Sequence, residues 1–216
     1  MRLITPRRIP HKKVTNRIDE ILSLCSGRRV LHVGCADVPF TKERGEGLLH
    51  RKLSKVTNDL WGIDISREGI ELLKEMGFSN VYVANAESNL QQEEFDIIVA
   101  GEIIEHLGNP AHFLESMKSL MSHKTTLVIT TVNAYAFKLF LFAFVGKEKV
   151  HEDHNYYFSY YTLKQLVEKS GLVCDELYYY QENNGSFPDK ILATVPKLFQ
   201  PVADGLIAKV RLPSFQ

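Results

Sequence analysis

The chain has no surplus of charge of either sign. Its 26 lysines and arginines balance 26 aspartates and glutamates, so it lacks the clustered positive field on which broad nucleic-acid binding depends. Nucleic acid is therefore not an expected partner. Cysteine is scarce: Cys25, Cys35 and Cys174 are widely spaced and form no C-x-x-C pair. That argues against a disulfide framework or a zinc-thiolate centre and suits a reducing cytoplasm. The most apolar run, AFKLFLFAFV at 136–145, falls well short of the ~20 residues that span a bilayer. The basic start (Arg2, Arg7, Arg8, Lys12, Lys13) lacks the apolar stretch of a signal peptide and reads as a solvated arm.

What is present is a regular alternation. TNRIDEILSLCSG from Thr15 has helical spacing and stops at Gly27, and RVLHVG (29–34) reads as a buried strand. GLLHRKLSKVTN (47–58) is helical and LWGID (60–64) extended. SREGIELLKEMG (66–77) is a helix with Ser66 as N-cap and Gly77 at its end. NVYVAN (80–85) and FDIIVAG (95–101) are strands, and Asn109 with Pro110 opens the next helix. TTLVITTV (125–132) is a fifth strand, SYYTLKQLVEKSG (159–171) a helix and LVCDELYYY (172–180) a sixth strand. A helical piece over 192–204 then precedes LIAKVRL (206–212). Strands alternating with helices predict an α/β fold, a doubly wound, mostly parallel seven-stranded sheet covered on both faces. The 216 residues suit a single domain, with an arm over 1–14 and an inserted segment over 133–158 where the alternation breaks.

In such sheets ligands bind beyond the carboxyl ends of the strands. Gly-Cys-Ala-Asp (34–37) follows the first strand, Asp64 ends the second and Glu87 follows the third. An acid at Asp64 suits two ribose hydroxyls; Glu87 suits an adenine amino group or a turn cap. Together these describe an adenosine-shaped site.

VLHVGCAD, GIDIS, VANAES and FDIIVAGEIIEHLGNPAHFLESM resemble, in order, the successive blocks of class I S-adenosylmethionine-dependent methyltransferases. HNYYFSYYTLKQLVEKSGL is similar to the segment after strand five in the ubiquinone-biosynthesis-like branch. The resemblance covers about residues 15–180 and implies a Rossmann-like methyltransferase fold. It also implies S-adenosylmethionine held by His32, Gly34, Cys35, Ala36, Asp64, Ile65, Ala86, Glu87 and Gly101. Two departures stand out. The family's first turn carries an acid and further glycines where this chain has His32, Ala36 and Val38, and a neutral imidazole offers one acceptor nitrogen only. Asp64 also lies 30 residues after Gly34, against about 20 in the analogous dinucleotide motif, which implies an enlarged loop around PFTKERGEG.

Methyl transfer to a hydroxyl needs orientation and removal of a proton. VHEDHNYYFSYYT (150–162) supplies His154 as the first choice of base, with Asp153 or Glu152 as an orienting partner and His151 as second choice. If the chain turns helical after strand four, Glu102, Glu105 and His106 share one face and form a candidate Mg²⁺ site. The small-RNA 3′-end methyltransferases are similar at this Glu-x-x-Glu-His stretch and use it for a metal, which leaves His151 or His154 as a further ligand. The other reading has Glu102 bonding the cofactor or backbone amides, with His106 in packing. The Phe-rich run at 136–145 suits core or dimer packing, or an interfacial patch for peripheral membrane contact. The expected function is O-methylation of a small-molecule acceptor, a sugar, glycan precursor or phenolic or quinone-like compound. The alternatives are a metal-dependent RNA 2′-O-methyltransferase and a methyltransferase-like binding protein without turnover.

Overall fold

Each expected strand forms, because each is a short run of β-branched or large apolar residues bounded by a turn. The computed structural model describes residues 6–88, 90, 93–182 and 194–214. The first half holds β1 (Val14–Thr15), α1 (Arg17–Cys25), β2 (Arg29–Val33), α2 (Thr41–Arg44), α3 (Leu49–Leu53), β3 (Asp59–Asp64), α4 (Arg67–Glu75) and β4 (Val81–Val83). The second holds β5 (Ile97–Gly101), α5 (Pro110–Leu120), β6 (Thr126–Val132), α6 (Phe137–Phe144), α7 (Tyr160–Lys169), β7 (Val173–Tyr180), α8 (Thr194–Leu198) and β8 (Gly205–Arg211).

Among the described residues the sheet has eight strands, in the order β1-β7-β8-β6-β5-β2-β3-β4. All pairings are parallel except those of β8 with β6 and β7. From β2 the chain winds outward through β3 and β4, then crosses back to β5 and β6 on the other side. β2 and β5 thus sit at the switch point, where neighbouring connections diverge and leave a crevice. The strand beyond the expected seven is β1, whose two residues are too few to show a period. Backbone bonds place it: Tyr179 N–H donates to the Lys13 carbonyl at 3.2 Å, and Gln181 N–H to that of Thr15 at 3.0 Å.

The arm's basic side chains Arg7, Arg8, Lys12 and Lys13 are exposed, as a solvated arm requires, while its backbone docks on the fold. Tyr161 and Tyr179 donate their hydroxyls to the carbonyls of Arg8 and Pro10 at 3.0 Å each, and the Arg7 guanidinium lies 5.5 Å from the Tyr161 ring centre. Tyrosines at the sheet edge need partners for their hydroxyls, and the arm's backbone supplies them. Residues 1–5 of the arm lie outside the described residues.

Alternation along the strands fills both faces. On β5, Ile98 and Ala100 join Phe113, Leu114, Met117 and Leu163 of α5 and α7, while Ile97 and Val99 face Ile21, Cys25 and Leu53 of α1 and α3. Helix ends follow their caps. Ser66 Oγ accepts the Gly69 N–H at 3.0 Å, and Asn109 Oδ1 accepts those of Ala111 and His112 at 3.1 and 3.2 Å. The helix expected over 47–58 is shorter, because a 3₁₀ turn at Gly45–Gly47 precedes α3 and the chain leaves helix after Leu53. The enlarged loop carries α2. Within the expected 192–204 piece, residues 192 and 193 lie outside the described residues; the rest is α8 and a 3₁₀ turn at Gln200–Val202.

Gly205 marks the tightest packing in the sheet. It pairs with Tyr180, and a Cβ there would sit 2.0 Å from Tyr180 Cζ. Gly205→Ala should therefore cost about 3 kcal/mol or more, the upper range for overpacking, and lower Tm by roughly 6–12 °C. Thermal unfolding followed by circular dichroism reads this directly. An unchanged Tm would mean that the Tyr180 ring does not cover Gly205.

Candidate active site

The turn after β2 is built by backbone. Gly34 has φ +71°, a conformation that L side chains rarely adopt, and a Cβ there would meet Ile103 Cδ1 at 2.8 Å. Its N–H and that of Cys35 donate to the Ile63 carbonyl at 2.8 and 3.1 Å. Asp64 then fastens two elements at once. Its Oδ2 accepts the Ala36 N–H at 3.0 Å and its Oδ1 the Ser66 N–H at 2.9 Å. Burial pushes the Asp64 carboxyl upward, and these backbone donors pull against that shift.

Beside this turn lies a cavity of about 330 Å³, within the few-hundred-Å³ range of small-ligand sites. Of the expected cofactor residues, Gly34, Asp64, Ile65, Ala86 and Glu87 line it. Ile65 is 71% exposed, an uncovered apolar side chain at the rim that a planar base would cover. Glu87 Oε1 accepts the Asn109 N–H at 3.0 Å, so it braces the loop leading into α5. Ile103, His106, Leu107 and Gly108 complete the wall. Only His106 among these four was singled out in the sequence, because the connection after β5 shows no period.

Four expected cofactor residues stand elsewhere. His32 is buried and its Nδ1 lies 3.2 Å from His50 Nδ1, the rings stacked with centres 5.4 Å apart. Burial holds both imidazoles down, His50 to about 4, so the pair is neutral, one ring donating and the other accepting. His32 thus spends its Nδ1 on His50. Cys35 packs with Leu48, Ile70 and Leu73. Ala36 offers the turn its N–H, and its Cβ lies 2.5 Å from where a Cβ at Gly69 would be. Gly101 neighbours Leu49, Thr130 and Arg17.

The expectation of Glu102, Glu105 and His106 on one helical face is not met. Glu102 has φ 55°, a left-handed conformation that ends any helical continuation from β5; residues 103–109 form turns and α5 begins only at Pro110. The two carboxylates are engaged elsewhere. Glu102 Oε1 accepts the hydroxyls of Tyr180 at 2.9 Å and Thr130 at 3.2 Å. Glu105, fully buried, accepts from Thr131 Oγ1 at 2.9 Å. Burial, with Glu102 nearby, pushes the Glu105 carboxyl up to about 8. Arg17, which the sequence reading passed over, lies under Glu102: its Nη2 is 3.3 Å from Glu182 Oε1 and its guanidinium faces the Tyr180 ring. It sat within an amphipathic helix pattern that marked it only as polar.

His106 has different company. The loop before α7 is fastened to the turn after β5 by backbone bonds. Asn155 and Tyr156 N–H donate to the Glu105 carbonyl at 2.8 and 3.2 Å. Asn155 Nδ2 donates to the His106 carbonyl at 2.9 Å, and Tyr156 Oη to that of Gly108 at 3.1 Å. This brings His151 and His154 to His106, with ring centres 5.6 and 4.5 Å from it. Asp153 Oδ2 lies 3.8 Å from His151 Nδ1. Burial first, then the neighbouring imidazoles, lowers the affinity of His106 and His154 for a proton.

A larger apolar cavity of about 790 Å³ opens beyond the cluster, lined by Tyr135, Phe137, Phe140, Tyr157 and Val202 among others. Tyr157 connects the two, its ring centre 6.0 Å from that of His154. Ala136 is buried, but no side chain of α6 is, so the helical part of the run does not pack as core. Lys138 instead pairs with Asp204 at 3.1 Å.

A glycine turn, an acid on the next strand and a cavity beyond a parallel sheet make the build of a nucleoside-cofactor enzyme. Residues 7–177 match the family model described as a methyltransferase domain. The ubiquinone biosynthesis O-methyltransferase of Shewanella sp. (strain ANA-3) is 25% identical over 190 residues, covering 82% of this chain and 74% of that protein. Across the first curated relatives, the matched share of their own length runs from 51% to 74%. Among solved structures, a methyltransferase in complex with the Haloferax volcanii Trm112 methyltransferase activator has a TM-score of 0.65 at 15% identity, covering 91% of this chain and 88% of that one. Magnesium protoporphyrin IX methyltransferase from Synechocystis PCC 6803, with bound S-adenosylhomocysteine, has a TM-score of 0.61 at 11% identity, covering 91% and 82%. These two likenesses are of fold. The chain belongs to the methyltransferase-domain family of class I S-adenosylmethionine-dependent methyltransferases.

Proposed function

We propose that the chain methylates a hydroxyl of a small-molecule acceptor, with a phenolic or quinone-like compound ahead of a sugar or glycan precursor. The observation that carries this reading is that His106 belongs both to the wall of the 330 Å³ cavity and to the histidine cluster. A cofactor site and a proton-handling site therefore share a boundary. The relative named for ubiquinone biosynthesis supports the acceptor class, as does the apolar 790 Å³ cavity beyond Tyr157.

The lining of the smaller cavity supports one assignment of the cofactor's residues. Asp64 would take the ribose hydroxyls, Ile65 and Ala86 the faces of the adenine, and Gly34 allows close approach of backbone. S-adenosylmethionine, when bound, supplies an electrophilic methyl group on a sulfonium. The protein's own work is to orient the acceptor, exclude water and accept its hydroxyl proton. His154 takes that proton on its imidazole, with His151 and Asp153 steering it. α6 exposes Phe140 and Phe144 at 60% and 81%, with Lys147 and Lys149 just beyond, and so suits contact with a membrane surface that carries such an acceptor. Three unpaired cysteines accord with a cytoplasmic setting.

Calorimetric titration with S-adenosylhomocysteine, followed by methylation assays on phenolic and sugar acceptors, tests the reading. His154→Ala should lower kcat by roughly 10²–10⁴-fold, the usual worth of a general base, while leaving S-adenosylhomocysteine affinity within about twofold. Equal loss of both would make His154 a structural residue and remove the base assignment.

A further inference from the structure

Three imidazoles meet in this protein, with the Asp153 carboxylate beside His151, and their joint chemistry exceeds that of a base with orienting neighbours. We propose that His106, His151 and His154 form a binding site for a borderline transition-metal dication, Zn²⁺ or Co²⁺ in class, with an open coordination position toward the cofactor cavity. Metal binding itself stands apart from the methyl-transfer reading; the use of the open position by an acceptor hydroxyl rests on that reading.

The geometry is that of a three-ligand cup. One nitrogen from each of the three residues lies within 4.8 Å of the others. In a tetrahedral site with metal–nitrogen bonds of 2.0–2.1 Å, ligand nitrogens sit about 3.3 Å apart. The remaining distance is within reach of side-chain torsions. His151 and His154 stand one turn apart, the His154 N–H donating to the His151 carbonyl at 3.1 Å, so their rings project to one side. The ring centres of these two are 5.3 Å apart.

The backbone is already in place. The Asn155 and Tyr156 bonds to the turn after β5 hold the two ligand segments together. An outer contact of the kind that orients metal-bound histidines is present as well: the Asp153 carboxylate lies beside His151. Plain packing explains the cluster less well, because His154 Nδ1 is buried with no hydrogen-bond partner among the described residues. Two like rings packed for their own sake would bond each other, as His32 and His50 do.

The donor set selects the ion. Magnesium and calcium take oxygen ligands, whereas Glu102 bonds Thr130 and Tyr180, Glu105 Oε2 bonds Thr131, and neither carboxylate belongs to the histidine cluster. An all-imidazole set suits zinc, cobalt, nickel or copper. Three protein ligands leave a fourth position, as in catalytic rather than structural zinc sites. His106 puts that position at the cavity wall, where an acceptor hydroxyl would bind, acidify and release its proton to water. Metal ligand and free base are alternative states of His154. With the ion bound, the ion takes over the task that the imidazole performs without it.

The test uses the full chain, free of any tag and stripped with chelator, titrated with Zn²⁺, Co²⁺ and Mg²⁺ separately. One equivalent of Zn²⁺ should bind with micromolar or tighter affinity, Co²⁺ should give the visible absorption of a tetrahedral site, and Mg²⁺ should leave the heat trace flat. His106→Ala, His151→Ala and His154→Ala should each weaken Zn²⁺ at least about 30-fold, whereas His112→Ala should leave it unchanged. His151 is exposed, so its variant tests the site even if the others disturb the fold. Absent zinc binding, or zinc binding indifferent to His151→Ala, overturns the proposal. S-adenosylhomocysteine titrated into the same stripped protein separates the readings: its binding without zinc binding removes only the metal site, and zinc binding without it removes only the methyl-transfer function.

Discussion

Asp64→Ala should weaken S-adenosylhomocysteine binding at least about a hundredfold. Two losses combine. The carboxylate suited to the ribose hydroxyls disappears, and so do the bonds by which Asp64 holds Ala36 and Ser66. Hydrogen bonds to a charged group are worth about 1.5–3 kcal/mol each, and a hundredfold change needs about 2.7 kcal/mol. Loss of one ribose contact plus a loosened turn reaches that figure. Asp64→Asn keeps one acceptor oxygen and should fall between. Titration calorimetry on both variants, with Tm measured without ligand, separates lost contact from lost fold. Unchanged affinity in a folded Asp64→Ala protein would move the ribose elsewhere.

The buried His32–His50 pair should withdraw its contribution to stability between pH 6.5 and 4. The folded chain holds His50 near 4 where an imidazole ordinarily titrates at 6.5, and His32 moves the same way. As pH drops through 6.5 the unfolded chain takes up protons that the folded one refuses. The contribution is therefore complete above 6.5 and is lost as pH falls toward 4. From His50 alone this amounts to roughly 3 kcal/mol at 1.36 kcal/mol per pH unit. Glu105 works in the opposite sense: its carboxyl, raised to about 8, favours the folded state below the usual carboxylate range and loses that contribution as pH rises through 8. A variant isolates the histidine effect. In urea unfolding at pH 7.5 and 5.0, His50→Gln should show a drop at least about 2 kcal/mol smaller than the parent chain. Equal drops would mean that the pair accepts a proton when folded.

Most of the sheet was legible because its physics is local. RVLHV, LWGID and IIVAG carry their burial in their composition, and Ser66, Asn109 and Pro110 announce helix starts by their own chemistry. β1 was not legible, since two residues carry no period and the strand exists only through partners on β7. The site divides the same way. Asp64 and Gly34 stand where strand ends must put them, so their place followed from element order. The Glu102 backbone broke the helical spacing on which the magnesium site depended, and nothing local in GEIIEHL announces a left-handed residue. His32 offered a contrast with the family's acid, but the partner that explains it, His50, lies on a different element. The His106, His151 and His154 grouping was half visible: the residues stood out, while the clasp at Asn155 that assembles them is a contact across 49 positions.

That clasp also bears on how the two ligands bind. Asn155 and Tyr156 join the loop carrying His151 and His154 to the turn that walls the cofactor cavity. The two therefore move as one body, and whatever settles against the turn fixes the loop. On the proposed reading, a nucleoside in the smaller cavity would complete the acceptor's seat. By reciprocity, a bound acceptor tightens the hold on the nucleoside by the same factor. Cofactor and acceptor would then bind with positive coupling, the loop serving as the link between the two.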